Sequence, residues 1–285
     1  MSRPRRSALY MPASNARAVE KARTLDADIV ILDLEDAVLP DQKDQARVAA
    51  AAAIHAGGFG RREVVLRVNG LDTPWGAADL AMAAEVGPDA VLAPKVRNAQ
   101  DVRALAAALA DAPDRTRLWV MIETVQSIFA LDVIAAAAPE RLAGFVMGIN
   151  DLAREMGARQ TAERAPFFAA LALAVSAARA HGLVVLDGVH NEIDDLAALE
   201  AVCRQGVDFG FDGKTLIHPS HLGICNQVFS PAAAEVVWAR AVIGAFDAPE
   251  NVGKGALRVD GRLAEILHRD QARKLVAVAD AIAAT

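Results

Sequence analysis

Only two cysteines, Cys203 and Cys225, occur in the 285 residues, and neither sits in a CxxC motif or a Cys/His cluster. That removes support for a disulfide framework or a structural zinc site and suits a reducing, cytoplasmic setting. Positive charge is not in excess: 30 Lys and Arg face 36 Asp and Glu, for a net charge of −6. A nucleic-acid surface is therefore not expected, although a local basic pocket for a phosphorylated ligand is compatible with this balance. The opening MSRPRRSALYMPAS is basic but lacks the apolar core of a secretory signal. No apolar run reads as long enough to span a membrane, so no membrane partner is expected. No internal repeat is evident beyond a strand–helix alternation. Hydrophobic residues, in contrast, make up 54% and charged ones 23%, enough for a sizeable core in one large α/β barrel or two ordinary domains.

The stretch Leu118–Asp151 is the most informative. LWVMIETVQS delivers Glu123 and LAGFVMGINDLA delivers Asp151, with an Ala-rich crossover at 127–139 between them. Two short apolar runs joined by a helix read as a βαβ unit, whose parallel strands deliver both acids to one sheet edge. Two oxygen ligands with room left for water and substrate suit Mg2+. The competing reading is that each acid caps the helix after it. Similar apolar runs occur at Ser7–Met11, Asp28–Leu34, Glu63–Val68, Ala90–Pro94, Gly144–Gly148, Leu183–Leu186 and Val207–Phe211. Eight runs alternating with Ala-rich amphipathic stretches predict an α/β fold, a (β/α)8 TIM barrel. SALYM and VDFGF are weak as strands, and without them a doubly wound sheet is the alternative. The barrel is expected over 1–220 and a C-terminal helical extension over 221–285, with helices at Pro231–Phe246 and up to Ala284 joined by a Gly/Asn-rich link, NVGKGALRVDGR. The extension reads as a lid, a dimer arm or padding.

In a barrel the polar residues after each strand ring one mouth, where active sites lie. Arg67 in VVLRVNG needs an anionic partner, either Glu35 or Asp36 nearby or a substrate carboxylate. Glu35 and Asp36 bond metal-held waters, orient Arg67, or pair with Arg47 or a mouth lysine. Lys95 in VLAPKVRN neutralises a phosphate or carboxylate or closes a salt bridge; a Schiff-base role is less favoured beside the acid pair. Ser14 is the expected N-cap of the first helix, and with Asn15 and Arg17 it forms a weak candidate anion site. In FDGKTLIHPS, Lys214 and His218 belong either to a tight turn or to a ligand contact.

The ordered strings RSALYMPAS, DIVILDLEDAV, LRVNG, LAPKV, MIET, GFDGKTLIHP and GKGALRVDGRLAEILH resemble the HpcH/HpaI aldolase and citrate lyase β-subunit superfamily from Arg6 to the last helix. The resemblance implies a Mg2+-binding TIM barrel acting on acyl-CoA or acyl-carrier thioesters, making or breaking a bond between a thioester enolate and a 2-oxo acid. It makes Glu123 and Asp151 the metal ligands, Arg67 the holder of the substrate carboxylate or carbonyl, and Glu35 and Asp36 the acids behind the metal. Independently of the resemblance, Lys95 and Lys214 are the candidate substrate contacts, and Ser14, Asn15 and Arg17 the candidates for binding CoA. The resemblance also implies a homo-oligomer, a trimer or hexamer, whose C-terminal segment covers a neighbour's active site. One departure is that Glu265 stands where the lyases carry a proton-handling aspartate. EILH, RVNGLDTPWG and DGVHNE look closest to the (3S)-malyl-CoA thioesterase branch. The expected reaction is thus hydrolysis or aldol cleavage of a malyl-CoA-type thioester. The alternatives are a CoA-independent pyruvate aldolase and a subunit of a citrate-lyase-like complex.

Overall fold

The computed structural model describes residues 3–284. Eight parallel strands close into a barrel in chain order: β1 Ser7–Pro12, β2 Ile29–Asp33, β3 Glu63–Arg67, β4 Ala90–Ala93, β5 Arg117–Ile122, β6 Leu142–Met147, β7 Val184–Asp187 and β8 Gly213–Leu216. The helices between them are α1 Ala16–Ala22, α2 Lys43–Ala56, α3 Gly76–Val86, α4 Ala99–Ala108, α5 Val125–Phe129, α6 Leu131–Ala135, α7 Ile149–Met156, α8 Phe168–Ala180 and α9 Leu196–Phe209. α10 Leu222–Val228 follows β8, and α11 Ala233–Asp247 and α12 Ile266–Ala283 complete the helices. The predicted TIM barrel is correct.

The period of two along each strand explains the interior. Ile29 and Ile31, Ala90 and Leu92, and Trp119 and Met121 alternate into one buried cluster with Ala8, Val65, Val146 and Leu186. Helix boundaries follow local chemistry: Asn98 and Asp101 form a capping box at α4, Asp195 caps α9, and Gly87 and Gly210 end α3 and α9 in the left-handed region.

Three local expectations are corrected. Val207–Phe211 is not the eighth strand: Val207 and Phe209 belong to the last turns of α9, and the strand is Gly213–Leu216. A side chain at Gly213 would collide with the backbone carbonyls of Arg5 and Arg6, so this position lets the barrel close against the chain entering β1. The crossover at 127–139 is two short helices, α5 and α6, rather than one. The link NVGKGALRVDGR contains a hairpin, β9 Ala256–Val259 with β10 Arg262–Glu265. Its turn residues Asp260 and Gly261 have φ of 48° and 81°, the positive pair that a two-residue hairpin turn takes.

Two compact units are present, one covering 5–227 and the other 228–284 with residues 3–4. In the second, α11 and α12 pack with the hairpin around Ala239, Val242, Phe246, Val259, Ala264 and Ala272. The stretch Pro219–Asp247 has the length and mean hydropathy (1.3) of a membrane span, which the sequence reading overlooked. Ser230 and Pro231 break it, and the longer piece, α11, has 15 residues. At ~1.5 Å per residue such a helix falls well short of a ~30 Å hydrocarbon core.

Candidate active site

Parallel register sets the first half of the site. Arg67 ends β3 directly beside Asp33 on β2. Its Nε and Nη2 donate to the two Asp33 oxygens at 2.7 and 2.6 Å, a buried bidentate pair. Asp33 also accepts the backbone N–H groups of Glu35 and Ala37 at 2.8 and 3.2 Å. The remaining edge of Arg67 meets Glu35 at 2.7 Å, with Asp36 further off at 3.8 Å, and the guanidinium lies 4.6 Å from the Tyr10 ring centroid. The sequence reading offered Glu35 or Asp36 as the internal partner; the principal one is Asp33. Burial pushes the Glu35 carboxyl up to about 7, with Arg67 opposing the shift.

The second half comes from β5 and β6. Glu123 follows β5 and is 1% exposed; Asp151 lies in the first turn of α7. Neither is the cap of the helix after it. Thr124 caps α5 with its side chain, and Gly148 holds the N-cap position of α7. Glu123 Oε1 accepts the Lys95 backbone N–H at 2.7 Å, and the Lys95 ammonium lies 2.6 Å from Asp151, 3.4 Å from Glu123 and 4.0 Å from Glu35. Lys95 therefore joins the acids together rather than standing apart as a separate ligand contact. Burial raises the Glu123 carboxyl above its ordinary value despite the nearby Lys95 charge.

The donor set fits Mg2+. Glu123 Oε2 is buried without a hydrogen-bond partner, and Gly148 lies against it so closely that a Cβ there would collide with Glu123. No cluster of three or more metal-binding side chains exists among the described residues. A hard ion that keeps most of its waters needs no more than one or two carboxylates, whereas a zinc site would need a fuller set. Both acids, Arg67, Tyr10 and Thr215 line one cavity of about 290 Å³.

Other expected contacts lie elsewhere. Lys214 is fully buried and bonds Asp187 at 3.0 Å, while Arg164 holds Asp187 at 2.8 Å; Lys214 is an interior ion-pair residue, and its assignment to substrate is corrected on that ground. The cap of α1 is Asn15, whose side chain accepts the Ala18 N–H at 3.1 Å, and not Ser14. Ser14, Asn15 and Arg17 are exposed, and none lines the cavity, so the structure does not group them with the acids. His218 caps the short turn after β8 through its side chain. Glu265, in the C-terminal unit, is exposed at the start of α12, and its backbone N–H donates to His268 Nδ1 at 2.9 Å. Asp33 is the member of this cluster that the sequence reading passed over as a site residue, and its register with Arg67 would have found it.

A profile of the HpcH/HpaI aldolase/citrate lyase family matches residues 6–219. A (3S)-malyl-CoA thioesterase of Cereibacter sphaeroides is 50% identical over 281 residues, covering 99% of this chain and 96% of the relative. An L-malyl-CoA/beta-methylmalyl-CoA lyase of the same species is 35% identical over 309 residues, covering 99% and 97%. The crystal structure of CitE from Mycobacterium tuberculosis in complex with magnesium, acetoacetate and coenzyme A aligns with a TM-score of 0.76 and 28% identity, covering 96% of this chain and 97% of that one.

Proposed function

The chain belongs to the HpcH/HpaI aldolase/citrate lyase family, and from that premise we propose that it is a Mg2+-dependent enzyme hydrolysing (3S)-malyl-CoA to malate and CoA. The observation that carries this reading is the 50% identity to a (3S)-malyl-CoA thioesterase across 99% of the chain. The acids and arginine in one cavity supply a matching chemistry.

In this reading Glu123 and Asp151 hold Mg2+. When bound, Mg2+ acts as a Lewis acid toward substrate oxygens and offsets the negative charge that develops on them. Arg67 attracts the substrate carboxylate, and Asp33 fixes the plane of the guanidinium so that its charge stays on the cavity wall. Glu35 and Asp36 balance the charge of Arg67 from the other side, and Asp36, which lines the cavity, is placed to accept a hydrogen bond from water there. Water attacks the thioester carbonyl carbon, its proton passes to a carboxylate, the C–S bond breaks, and the CoA sulfur leaves as a thiolate that takes up a proton. Glu265 is assigned the proton taken from the attacking water, and the assembly is assigned as a homo-oligomer, a trimer or hexamer.

The lyase relative supports a second outcome on the same core site, cleavage to acetyl-CoA and glyoxylate. Incubating the purified protein with (3S)-malyl-CoA and Mg2+ separates the two. Malate with free thiol supports hydrolysis, glyoxylate with acetyl-CoA supports cleavage, and neither product overturns both.

A further inference from the structure

Lys95 is bound to the two proposed metal ligands at both of its ends. Its backbone N–H is fixed on Glu123 at 2.7 Å, and its ammonium reaches Asp151 at 2.6 Å with Glu123 at 3.4 Å and Glu35 at 4.0 Å. Three carboxylates of the mouth therefore converge on one positive charge. The backbone adopts φ +56° to put it there, a left-handed conformation that a residue with a Cβ takes at a cost. Pro94 precedes it, and the Glu123 bond at the backbone holds the turn. Local strain kept in place by such contacts concentrates where a side chain must be aimed. No substrate is needed to account for this aim, because the acids already present account for it.

We propose that Lys95 is the resident counter-cation of the metal site: it holds the acids together before metal arrives and, by repulsion, keeps the affinity for the free divalent ion low. The inference rests on the assignment of Glu123 and Asp151 as metal ligands. The ammonium and a divalent ion draw on the same carboxylates, so each is bound at the other's expense. A site tuned in this way takes up its metal best together with an anionic substrate, whose carboxylate offsets the added positive charge. The backbone N–H that positions Glu123 is present whatever the side chain, and Asp151 has a second partner in Arg154. Neutralising the side chain therefore removes the charge and its bridge between the acids, while Glu123 keeps the Lys95 backbone N–H and Asp151 keeps Arg154.

The test is calorimetric titration of the purified protein with MgCl2 in the absence of substrate, together with thermal unfolding with and without Mg2+. Lys95→Met should bind Mg2+ about thirty-fold more tightly than wild type, the size expected for charges of +1 and +2 roughly 4 Å apart under water-like screening. Without metal it should unfold at a lower temperature than wild type, and added Mg2+ should raise its midpoint by more. Lys95→Arg, which keeps the charge, should stay within about two-fold of the wild-type affinity by the same argument. Lys95→Gln provides a second neutral variant if Lys95→Met does not fold. Unchanged or weaker Mg2+ binding in the neutral variants overturns the proposal while leaving the metal assignment intact. Wild-type protein that binds no Mg2+, or Glu123→Gln protein that binds it as well as wild type, overturns the metal assignment and this inference with it.

Discussion

Replacing Gly148 with alanine tests the metal-site geometry without touching a charged group. Gly148 has φ −105° and ψ 75°, so its backbone does not itself demand glycine. What demands it is Glu123: an alanine Cβ would lie 2.5 Å from Glu123 Cβ and would also strike Oε2. The carboxylate can swing away, but Cβ is tied to the chain directly after β5. Carbon pairs settle at about 3.5–4.0 Å, so the two strand ends must separate by roughly 1 Å. Overpacking of this kind costs about 1–3 kcal/mol of stability, a fall in midpoint of several degrees in a protein of this size. The kinetic effect should be larger, because a displacement of ~1 Å at a catalytic position can cost ~10²-fold in rate. The assay is Mg2+-dependent release of CoA thiol from (3S)-malyl-CoA, with kcat and the half-saturating Mg2+ concentration measured beside urea unfolding. Gly223→Ala in α10 is the control, since a Cβ there meets nothing within 4 Å. A folded Gly148→Ala protein with wild-type kcat and Mg2+ dependence would refute the assignment of Glu123 as a ligand whose position matters.

Asp33→Asn leaves Arg67 with one acceptor where it had a bidentate carboxylate. Breaking a buried pair in this way should cost about 3 kcal/mol or more in urea unfolding and should raise KM as well as lower kcat, because the guanidinium loses its orientation. Around Asp187, burial opposes ionisation, but Lys214 and Arg164 overcome it and hold the carboxyl below its ordinary 3.8. A depressed carboxylate contributes stability that is complete above the unfolded value and is lost as the pH falls through the folded one. Asp187→Asn should therefore be much less stable than wild type at pH 7, with the gap narrowing below about pH 4 in unfolding curves taken across pH. Glu265→Ala should lower kcat far more than thioester KM; unchanged turnover would make the tail carboxylate structural.

The barrel was legible because seven of its strands are short, apolar and β-branched or bounded by turn residues, and each is followed by a helix-forming segment. β8 was not, because GKTL carries no strand pattern of its own. Gly213 is there for closure against Arg5 and Arg6, a demand made by the far end of the chain. The hairpin in the tail had a readable signal in Asp260-Gly261, which was absorbed into a link rich in glycine. Glu123, Asp151, Arg67, Glu35 and Asp36 were legible as a set because strand ends in a parallel barrel converge on one mouth.

Side-chain pairing was harder to read, and two cases share a cause. Arg67 stands in register with Asp33, and Lys214 in register with Asp187. Each basic residue has its nearest acid on the preceding strand, which residue spacing within one strand cannot reveal. The two pairs nevertheless differ in what surrounds them. Arg67 and Lys95 sit among Asp33, Glu35, Asp36, Glu123 and Asp151, so carboxylates outnumber the cations that bridge them. At Asp187 the balance is reversed, with Arg164 and Lys214 sharing one carboxylate inside the protein. A divalent cation is stabilised only where negative charge is in local excess, and among these two clusters that holds at the β2–β3–β5–β6 side of the mouth. The sign of the local excess, rather than the presence of a lysine or an acid at a strand end, is what separates the residues proposed for metal and substrate from those that close the core.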